Sequence, residues 1–310
     1  MQVRPLGTLS NLVANIGQLL DVSAFCSQLD LALELVTEGS IQLLCPQALR
    51  VANYDLAAAV AICKTLQVQP PTILNQLLRI AGKRLGVCEQ FNYTHAIFLN
   101  PRSDMRTFHE GEIGVTEKIF YTTHHSIELA LLRVHQALNM GDIVENQDAG
   151  QQVADAMWLV TSLTGSLAAM PNGHFGEIRK FFHGASGLQS PGVALLELLL
   201  WGHLLTPEHR RRIAALVPSF ESSFQTQVRV ALMNAESGLS ASSSINAKSR
   251  PLICVIAQGL LDFRIAHKRV VQIQLPEVAT GNALGSAGKP MQFLEGEIER
   301  TQQLRLQLGI

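Results

Sequence analysis

One histidine near the C-terminal end of the chain is a candidate for a chemical role. The stretch from Leu252 to Pro276 is apolar, and helical spacing puts His267 on one face with four apolar side chains, Ile256, Leu260, Phe263 and Val271. An amphipathic helix ordinarily carries Leu or Val at such a position. A neutral imidazole there is either a core or interface histidine with one good hydrogen bond, or a ligand to a metal or to haem iron. This stretch alone leaves both interpretations open.

A second histidine lies on an apolar face in the middle of the chain. Periodicity predicts a long helix over about 118–140, on which His124 shares a face with three apolar side chains, Phe120, Ile127 and Leu131. Glu128 follows one turn beyond His124. This histidine too is either a core residue or a side chain that faces a bound ligand.

A turn of small residues separates two predicted helices further along the chain. Residues 174–182 are predicted to form a short helix, and a very apolar helix begins after the turn, with Ser190 as its N-cap and Pro191 at its first position. The turn between them reads His-Gly-Ala-Ser-Gly-Leu-Gln-Ser over 183–190. Small residues with free backbone N–H groups let another group approach closely, whether a neighbouring helix or a ligand.

The elements that must position these residues are also predicted to be helical, so the expected fold class is all-α. Four N-terminal helices are predicted at about 9–20, 24–37, 53–67 and 72–84. Asp55 and Thr72 are candidate caps of the last two. Four later helices are predicted at 149–167, which contains Trp158 and is expected to be central, at 207–216 with Thr206 as its cap, at 219–236 and at 291–306.

Two segments lack clear periodicity. Residues 88–117 mix polar and aromatic side chains, so they either line a site, wrap a surface or form a plain connection. The Gly-rich residues 277–290 are either a lid over a site or a solvated connector. We predict an N-terminal helical subdomain at 1–87 and a second, site-bearing domain at 88–310.

Composition excludes several classes of function. The formal net charge is −1 and no run of basic residues exceeds three, which argues against a nucleic-acid surface. No apolar run has the length of a membrane span, and the N-terminus does not resemble a signal peptide. The five cysteines are scattered and form no C-x-x-C motif, which argues against a zinc site and against covalently attached haem. We therefore expect a cytoplasmic protein.

Three segments, taken together, resemble the tryptophan 2,3-dioxygenase and indoleamine 2,3-dioxygenase superfamily of histidine-ligated haem oxygenases. The first, Phe-Tyr-Thr-Thr-His-His-Ser-Ile-Glu over 120–128, is similar to the family's Phe-Ile-Ile-Thr-His-Gln-Ala-Tyr-Glu. The second runs from Ile178 through the small-residue turn to Glu197. The third is the His267 stretch with the Gly-rich loop and terminal helix that follow it. Their order also agrees, and the likeness covers about residues 90–305.

The resemblance implies a helical bundle that encloses a b-type haem, with His267 as the proximal iron ligand and His124 on the distal, catalytic side. It also implies a catalytic contact near bound oxygen from Ser186, and contacts to the haem from Phe120, Ala185 and Gly187. Substrate contacts are implied for Tyr93, Ser286 and Gly288, the last two in a loop that closes over the site.

One departure from the family concerns the carboxylate of the substrate. True tryptophan dioxygenases bind it with an arginine, whereas this chain carries Ala194 at that position. We expect Arg106 to replace that arginine if a carboxylate is bound at all. The N-terminal region, which the tryptophan dioxygenases do not match, resembles the extra N-terminal helical region of the secondary-metabolism branch of the superfamily.

The expected function is therefore a haem-dependent oxygenase that uses O₂ or peroxide on an aromatic amino acid or indole-type substrate, within a biosynthetic pathway. Two alternatives keep the haem chemistry: conventional 2,3-cleavage of tryptophan, and peroxide-dependent hydroxylation of tyrosine. Two others do not, namely a haem-binding sensor or inactive homologue, and a helical interaction protein without cofactor. Because the N-terminal helices are apolar, we also expect a homo-oligomer, either a dimer or a tetramer.

Overall fold

The computed structural model describes residues 4–16, 21–139, 147–182, 189–285 and 288–310. Within these ranges the chain forms helices and turns and no β-strand, which confirms the all-α prediction. The helices up to residue 139 are α1 Thr8–Ala14, α2 Val22–Glu34, α3 Glu38–Gln42, α4 Pro46–Thr65, α5 Thr72–Leu85 and α6 Gly111–Asn139. Those that follow are α7 Gln147–Ser166, α8 His174–Ile178, α9 Pro191–Trp201, α10 Pro207–Leu216, α11 Ser222–Glu236, α12 Arg250–Gln274, α13 Pro276–Ala279 and α14 Met291–Gln307.

The chain divides into two compact units, and the first is built around α4. Unit 1 comprises Met1–Thr122, Pro171–Gln189 and Pro218–Ser222. Every residue of α4 from Val51 to Cys63 is buried, since its run of alanines lets neighbouring elements approach from all sides. α1 and α5 pack against α4, and so does a π-helix at His95–Leu99.

Unit 2 comprises Thr123–Met170, Ser190–Val217 and Ser223–Ile310, and α12 is its central helix. This helix packs along α7 and against α14. A glycine makes the α7 contact possible, because a Cβ at Gly259 would lie 2.6 Å from the Cβ of Met157. The predicted central position of α7 agrees with this packing, although its Trp158 side chain is 70 % exposed.

Two predicted helix caps are confirmed. The Ser190 hydroxyl accepts a hydrogen bond from the Val193 N–H at 3.1 Å and so caps α9, which has Pro191 as its first residue. The Thr206 hydroxyl accepts from the His209 N–H at 3.2 Å and caps α10. Both caps precede a proline, as the sequence pattern requires.

Two other predicted caps are wrong. α4 begins at Pro46, so Asp55 lies in the buried middle of that helix and caps nothing. Thr72 is the first residue of α5, and no side chain caps that helix. In both cases a polar residue near a predicted boundary was assigned to the boundary itself.

The irregular segment 88–117 contains more helix than its sequence suggests. It holds the π-helix at His95–Leu99 and a 3₁₀ turn at Arg102–Asp104, and α6 begins within it at Gly111 rather than at the predicted residue 118. The compact units have other bounds than the predicted division at residue 87, which stays a prediction. No described helix is by itself long and apolar enough to cross a membrane; one bent pair, 150–169 with 174–181, reaches that length and hydropathy.

Candidate functional site

His267 lies on α12 and is half-buried in unit 2. Its ring stacks on that of Phe263, one turn earlier, with centroids 6.1 Å apart and ring planes at 20°. None of the described residues forms a hydrogen bond with either ring nitrogen. Burial lowers the pKa of His267 from 6.5 to about 4, so the imidazole is uncharged at neutral pH and keeps a lone pair for a ligand.

The predicted distal residue His124 is half-buried on α6, also within unit 2. Phe120, one turn earlier, is grouped with unit 1, where its ring lies 5.4 Å from that of Phe175 and 5.7 Å from that of Phe182. Phe120 therefore belongs to an aromatic cluster. Its contact with a haem, which the resemblance implies, stays a prediction.

The first and second family-like segments meet at Glu128. This carboxylate is 2 % exposed and accepts hydrogen bonds from the Ser190 hydroxyl at 2.5 Å and from the Gly192 N–H at 3.0 Å. His135, two turns further along α6, donates from Nε2 to the Gly192 carbonyl at 2.9 Å. Because a Cβ at position 192 would lie 2.5 Å from Glu128 Oε2, only glycine permits this approach.

The second and third segments meet at Glu197. Arg264, three residues before His267 on α12, donates to Glu197 Oε1 at 2.5 Å and contacts Glu297 Oε2 at 3.2 Å. Arg300 of α14 donates to the same Glu197 oxygen at 2.9 Å. Burial by itself would raise the pKa of Glu197, but the neighbouring cations hold it well below its usual value. The carboxylate therefore joins α9, α12 and α14 as an anion.

Arg106 lies in a buried ion pair of unit 1. Its side chain is 1 % exposed, and its Nε donates to Asp55 Oδ1 at 3.0 Å and its Nη1 to Asp104 Oδ2 at 2.7 Å. Two carboxylates of the chain therefore bind this guanidinium, and a substrate carboxylate would have to displace one of them. The prediction that Arg106 binds substrate gains no support from this placement.

The remaining predicted substrate contacts are dispersed. Tyr93 is buried in unit 1, where its N–H donates to Gln189 Oε1 at 3.2 Å and its ring lies 6.4 Å from that of Phe98. Gly288 is exposed and adopts a positive φ of 65°, with its N–H bonded to the Gly285 carbonyl at 2.8 Å. Four other predicted site residues lie outside the described residues, namely Ala185, Ser186, Gly187 and Ser286.

Haem binding at His267 stays a prediction, for which the chemistry of the ring is suitable. The described residues contain no group of three or more His, Cys, Asp or Glu side chains that could hold an ion. Haem iron needs one protein ligand, and the uncharged His267 imidazole, free of hydrogen bonds to described residues, has the chemistry for it. An acceptor for the second ring nitrogen, which such a ligand ordinarily has, is not among the described contacts of His267.

Sequence reasoning missed the residues that join the three segments. Glu128 and Glu197 were noted only as members of motifs, and Arg264 not at all. Their partners lie 62 to 67 residues away in sequence, so no local pattern identifies them. Comparison of the sequence with protein-family models and with curated proteins gives no match in either case.

Proposed function

We propose that this chain is a haem-dependent oxygenase of an aromatic amino acid or indole-type substrate, with His267 as the proximal ligand and His124 on the distal side. The observation that supports this most is that parts of the three family-like segments contact one another within unit 2. Glu128 binds the start of α9, and Glu197 of α9 binds Arg264 of α12.

Each residue in this proposal has a limited role. The bound haem would supply the oxygen chemistry, since its iron binds O₂ or peroxide. His267 offers an uncharged ring nitrogen, and the bonds of Arg264 to Glu197 and Glu297 hold its helix in place. His124 would accept or donate a proton at a substrate N–H or O–H group.

The placement of two residues favours a substrate without a tightly bound carboxylate. Ala194 replaces the family's arginine and is 5 % exposed, so it offers neither charge nor access. Arg106 is bound by Asp55 and Asp104. We therefore favour an indole-type compound over an amino acid as the substrate, and ring oxidation within a biosynthetic pathway over 2,3-cleavage of tryptophan.

The absorption spectrum of the protein, purified from haem-supplied cells, tests the proposal. Spectra of the ferric, dithionite-reduced and CO-bound forms should show the Soret band of a histidine-ligated haem, and His267→Ala should lose or strongly alter it. The matched control is His203→Ala, which removes another partly buried histidine of unit 2. Colourless wild-type protein would reject the haem proposal, and an unchanged His267→Ala spectrum would reject this ligand.

Turnover separates the remaining alternatives once haem is bound. Indole, tryptophan and tyrosine are each supplied with O₂ plus reductant, or with peroxide alone, and the products are analysed for an intact ring. Oxidation of indole supports the proposal. Ring cleavage of tryptophan or hydroxylation of tyrosine would favour one of the two conventional activities, and no turnover despite full haem loading would favour a sensor or inactive homologue.

A further inference from the structure

A second candidate site lies in unit 1 and involves none of the residues in the proposed haem chemistry. A cleft of about 1030 Å³ opens beside the first turns of α6. Two histidines line it, His109 just before α6 and His174 at the start of α8. Their surroundings determine which ring nitrogen of each carries the proton.

His109 is held by a buried carboxylate. Its Nδ1 lies 3.0 Å from Glu117 Oε2, and the Glu117 side chain has no exposed surface. Glu117 also accepts from the Phe108 N–H at 3.0 Å and from the Tyr121 hydroxyl at 2.6 Å. A carboxylate that receives these donors is an acceptor, so Nδ1 of His109 carries the proton. In the neutral ring, Nε2 then has the lone pair.

His174 is held by a hydroxyl group. The Thr116 hydroxyl donates to the Glu112 carbonyl at 2.9 Å, as a helical threonine often does, and its oxygen lies 2.8 Å from Nδ1 of His174. A hydroxyl has one proton, and a carbonyl can only accept. Nδ1 of His174 then donates to Thr116, and the neutral ring has its lone pair on Nε2.

Both Nε2 atoms are available to a ligand. None of the described residues forms a hydrogen bond with Nε2 of His109 or His174. Neither atom is among the fully buried polar atoms of the described structure that lack a partner, so each is accessible. The cleft is therefore lined by two imidazoles that are each oriented at Nδ1 by a second residue, and the neutral form of each ring offers Nε2 as an acceptor.

The rest of the cleft determines the class of ligand. Glu110 and Glu112 are exposed and have no ion-pair partner among the described residues, whereas Asp104 is neutralised by Arg4 and Arg106. Lys118 is the unpaired cation of the described lining. Val115 and Ile119, one turn apart on α6, form an apolar wall and are 58 % and 53 % exposed. Acceptors, net negative charge and an apolar wall together suit an ammonium group attached to a hydrophobic body.

We propose that this cleft binds a small amphipathic amine, whose ammonium group donates to Nε2 of His109 and His174 while its apolar part contacts Val115 and Ile119. The site uses none of the residues of the proposed haem chemistry. It therefore stands or fails separately from the proposed oxygenase function.

Calorimetric titration of the purified protein with three compounds that share one phenyl group tests the ligand class. The probes are 2-phenylethylamine, 2-phenylethanol and phenylacetate. The amine should bind about tenfold more tightly than the alcohol, because its hydrogen bonds are charge-assisted, and the acid should bind most weakly. Equal or tighter binding of phenylacetate would overturn the proposal, and so would failure of all three to bind.

Variants locate the binding. His174→Ala should weaken binding of 2-phenylethylamine about tenfold, the effect of one charge-assisted hydrogen bond. It is preferable to a change at His109, which would remove one of the three donors of the buried Glu117. His203→Ala, outside the cleft, is the matched control and should bind like the wild type. Unchanged binding in His174→Ala would place the amine elsewhere and overturn the assignment.

The tautomers can be read without any ligand. Long-range ¹H–¹⁵N spectra of the imidazoles should show the proton on Nδ1 in both His109 and His174 near neutral pH. A proton on Nε2 of either ring would remove one of the two acceptors, and the proposal would then be wrong.

Discussion

The Arg264 guanidinium, one turn before His267 on α12, donates to Glu197 Oε1 of α9 at 2.5 Å. The same side chain bonds to the Glu297 carbonyl at 3.1 Å and to the Thr301 hydroxyl of α14. It is 7 % exposed, so these charges compensate each other away from water. The orientation of the helix that carries His267 therefore depends on a buried ion pair with two other helices.

Loss of this arginine should destabilise the protein strongly. Arg264→Met leaves the Glu197 and Glu297 carboxylates buried with fewer partners, so we expect the free energy of unfolding to fall by roughly 3–5 kcal/mol. Urea denaturation followed by circular dichroism measures it. Lys268→Met is the control on the same helix, because its pair with Glu295 at 2.8 Å is partly exposed and should be worth less than about 1 kcal/mol. Equal losses in both variants would contradict this account.

Replacement of two different glycines with alanine should change the stability of the protein in opposite directions. A Cβ at Gly192 would lie 2.5 Å from Glu128 Oε2 and 2.9 Å from Leu131 Cδ1, so Gly192→Ala should cost about 1–3 kcal/mol. Gly296→Ala is the control, since Gly296 lies in the exposed interior of α14 with nothing within 4 Å of a new Cβ. It should stabilise the protein by about 0.5–1 kcal/mol. Thermal melts of both variants measure these changes. A Gly192→Ala protein as stable as the wild type would refute the close contact of Gly192 with Glu128 and Leu131.

The buried Asp55 should make stability fall as pH rises. Burial raises its pKa from 3.8 to about 6, and Arg106 and Ser10 lower it only in part. The folded chain then binds this proton more tightly than the unfolded chain. Its stabilising contribution is complete below about pH 4 and is lost as pH rises through about 6. Across that pH window, the free energy of unfolding of the wild type should fall by on the order of 3 kcal/mol relative to that of Asp55→Asn.

Carboxyl ¹³C NMR gives the midpoint of the Asp55 titration directly. Ser10→Ala provides the directional control, because the Ser10 hydroxyl donates to Asp55 Oδ2 at 2.6 Å and lowers the pKa. Its removal should move the midpoint to higher pH. A wild-type midpoint near 4 would show that Arg106 offsets the burial completely, and the predicted pH dependence would then be absent.

The buried His95 should make stability fall as pH falls, which is opposite to the effect of Asp55. Burial lowers its pKa from 6.5 to about 3, so the unfolded chain takes up a proton that the folded chain resists. This contribution is complete above about pH 6.5 and is lost as pH falls towards 3. His95→Phe should therefore unfold at lower pH than the wild type in an acid titration followed by circular dichroism.

The same substitution, His95→Phe, should make the protein less stable at neutral pH. His95 Nδ1 lies 2.8 Å from Asn92 Oδ1, and loss of this hydrogen bond should lower the free energy of unfolding at pH 8 by about 1 kcal/mol. The ring of Phe91, stacked 5.7 Å away, can accommodate phenylalanine. If His95→Phe unfolded at the same pH as the wild type, protonation of His95 would not contribute to acid unfolding.

Local patterns predicted the helices better than they predicted the contacts. The Ser190 and Thr206 caps were found because each signal spans four residues. Asp55 was taken for a cap because its partner Arg106 is 51 residues away, and only the folded chain brings the two together. The same limit applies to Glu197 and Arg264, whose separation is 67 residues. The candidate site was therefore predicted as single histidines, without the bonds that hold their helices.

The second site shows another limit of sequence reasoning. His109 and Glu117 are eight residues apart, and their contact depends on where α6 begins. That start is at Gly111, which adopts a positive φ of 59° and belongs to a segment without clear periodicity. The prediction began the helix seven residues later, and His109 was then assigned no partner.

The interleaving of the two compact units has a consequence for the order in which the chain can fold. Unit 1 includes 218–222, where the Ser219 carbonyl accepts from Thr94 at 2.7 Å and from Asn92 at 3.1 Å. During synthesis, these contacts of Asn92 and Thr94 must therefore wait for a segment made 125 to 127 residues later. A polypeptide truncated after α6 would lack these bonds and should be a substrate for chaperones and proteases rather than an independent domain.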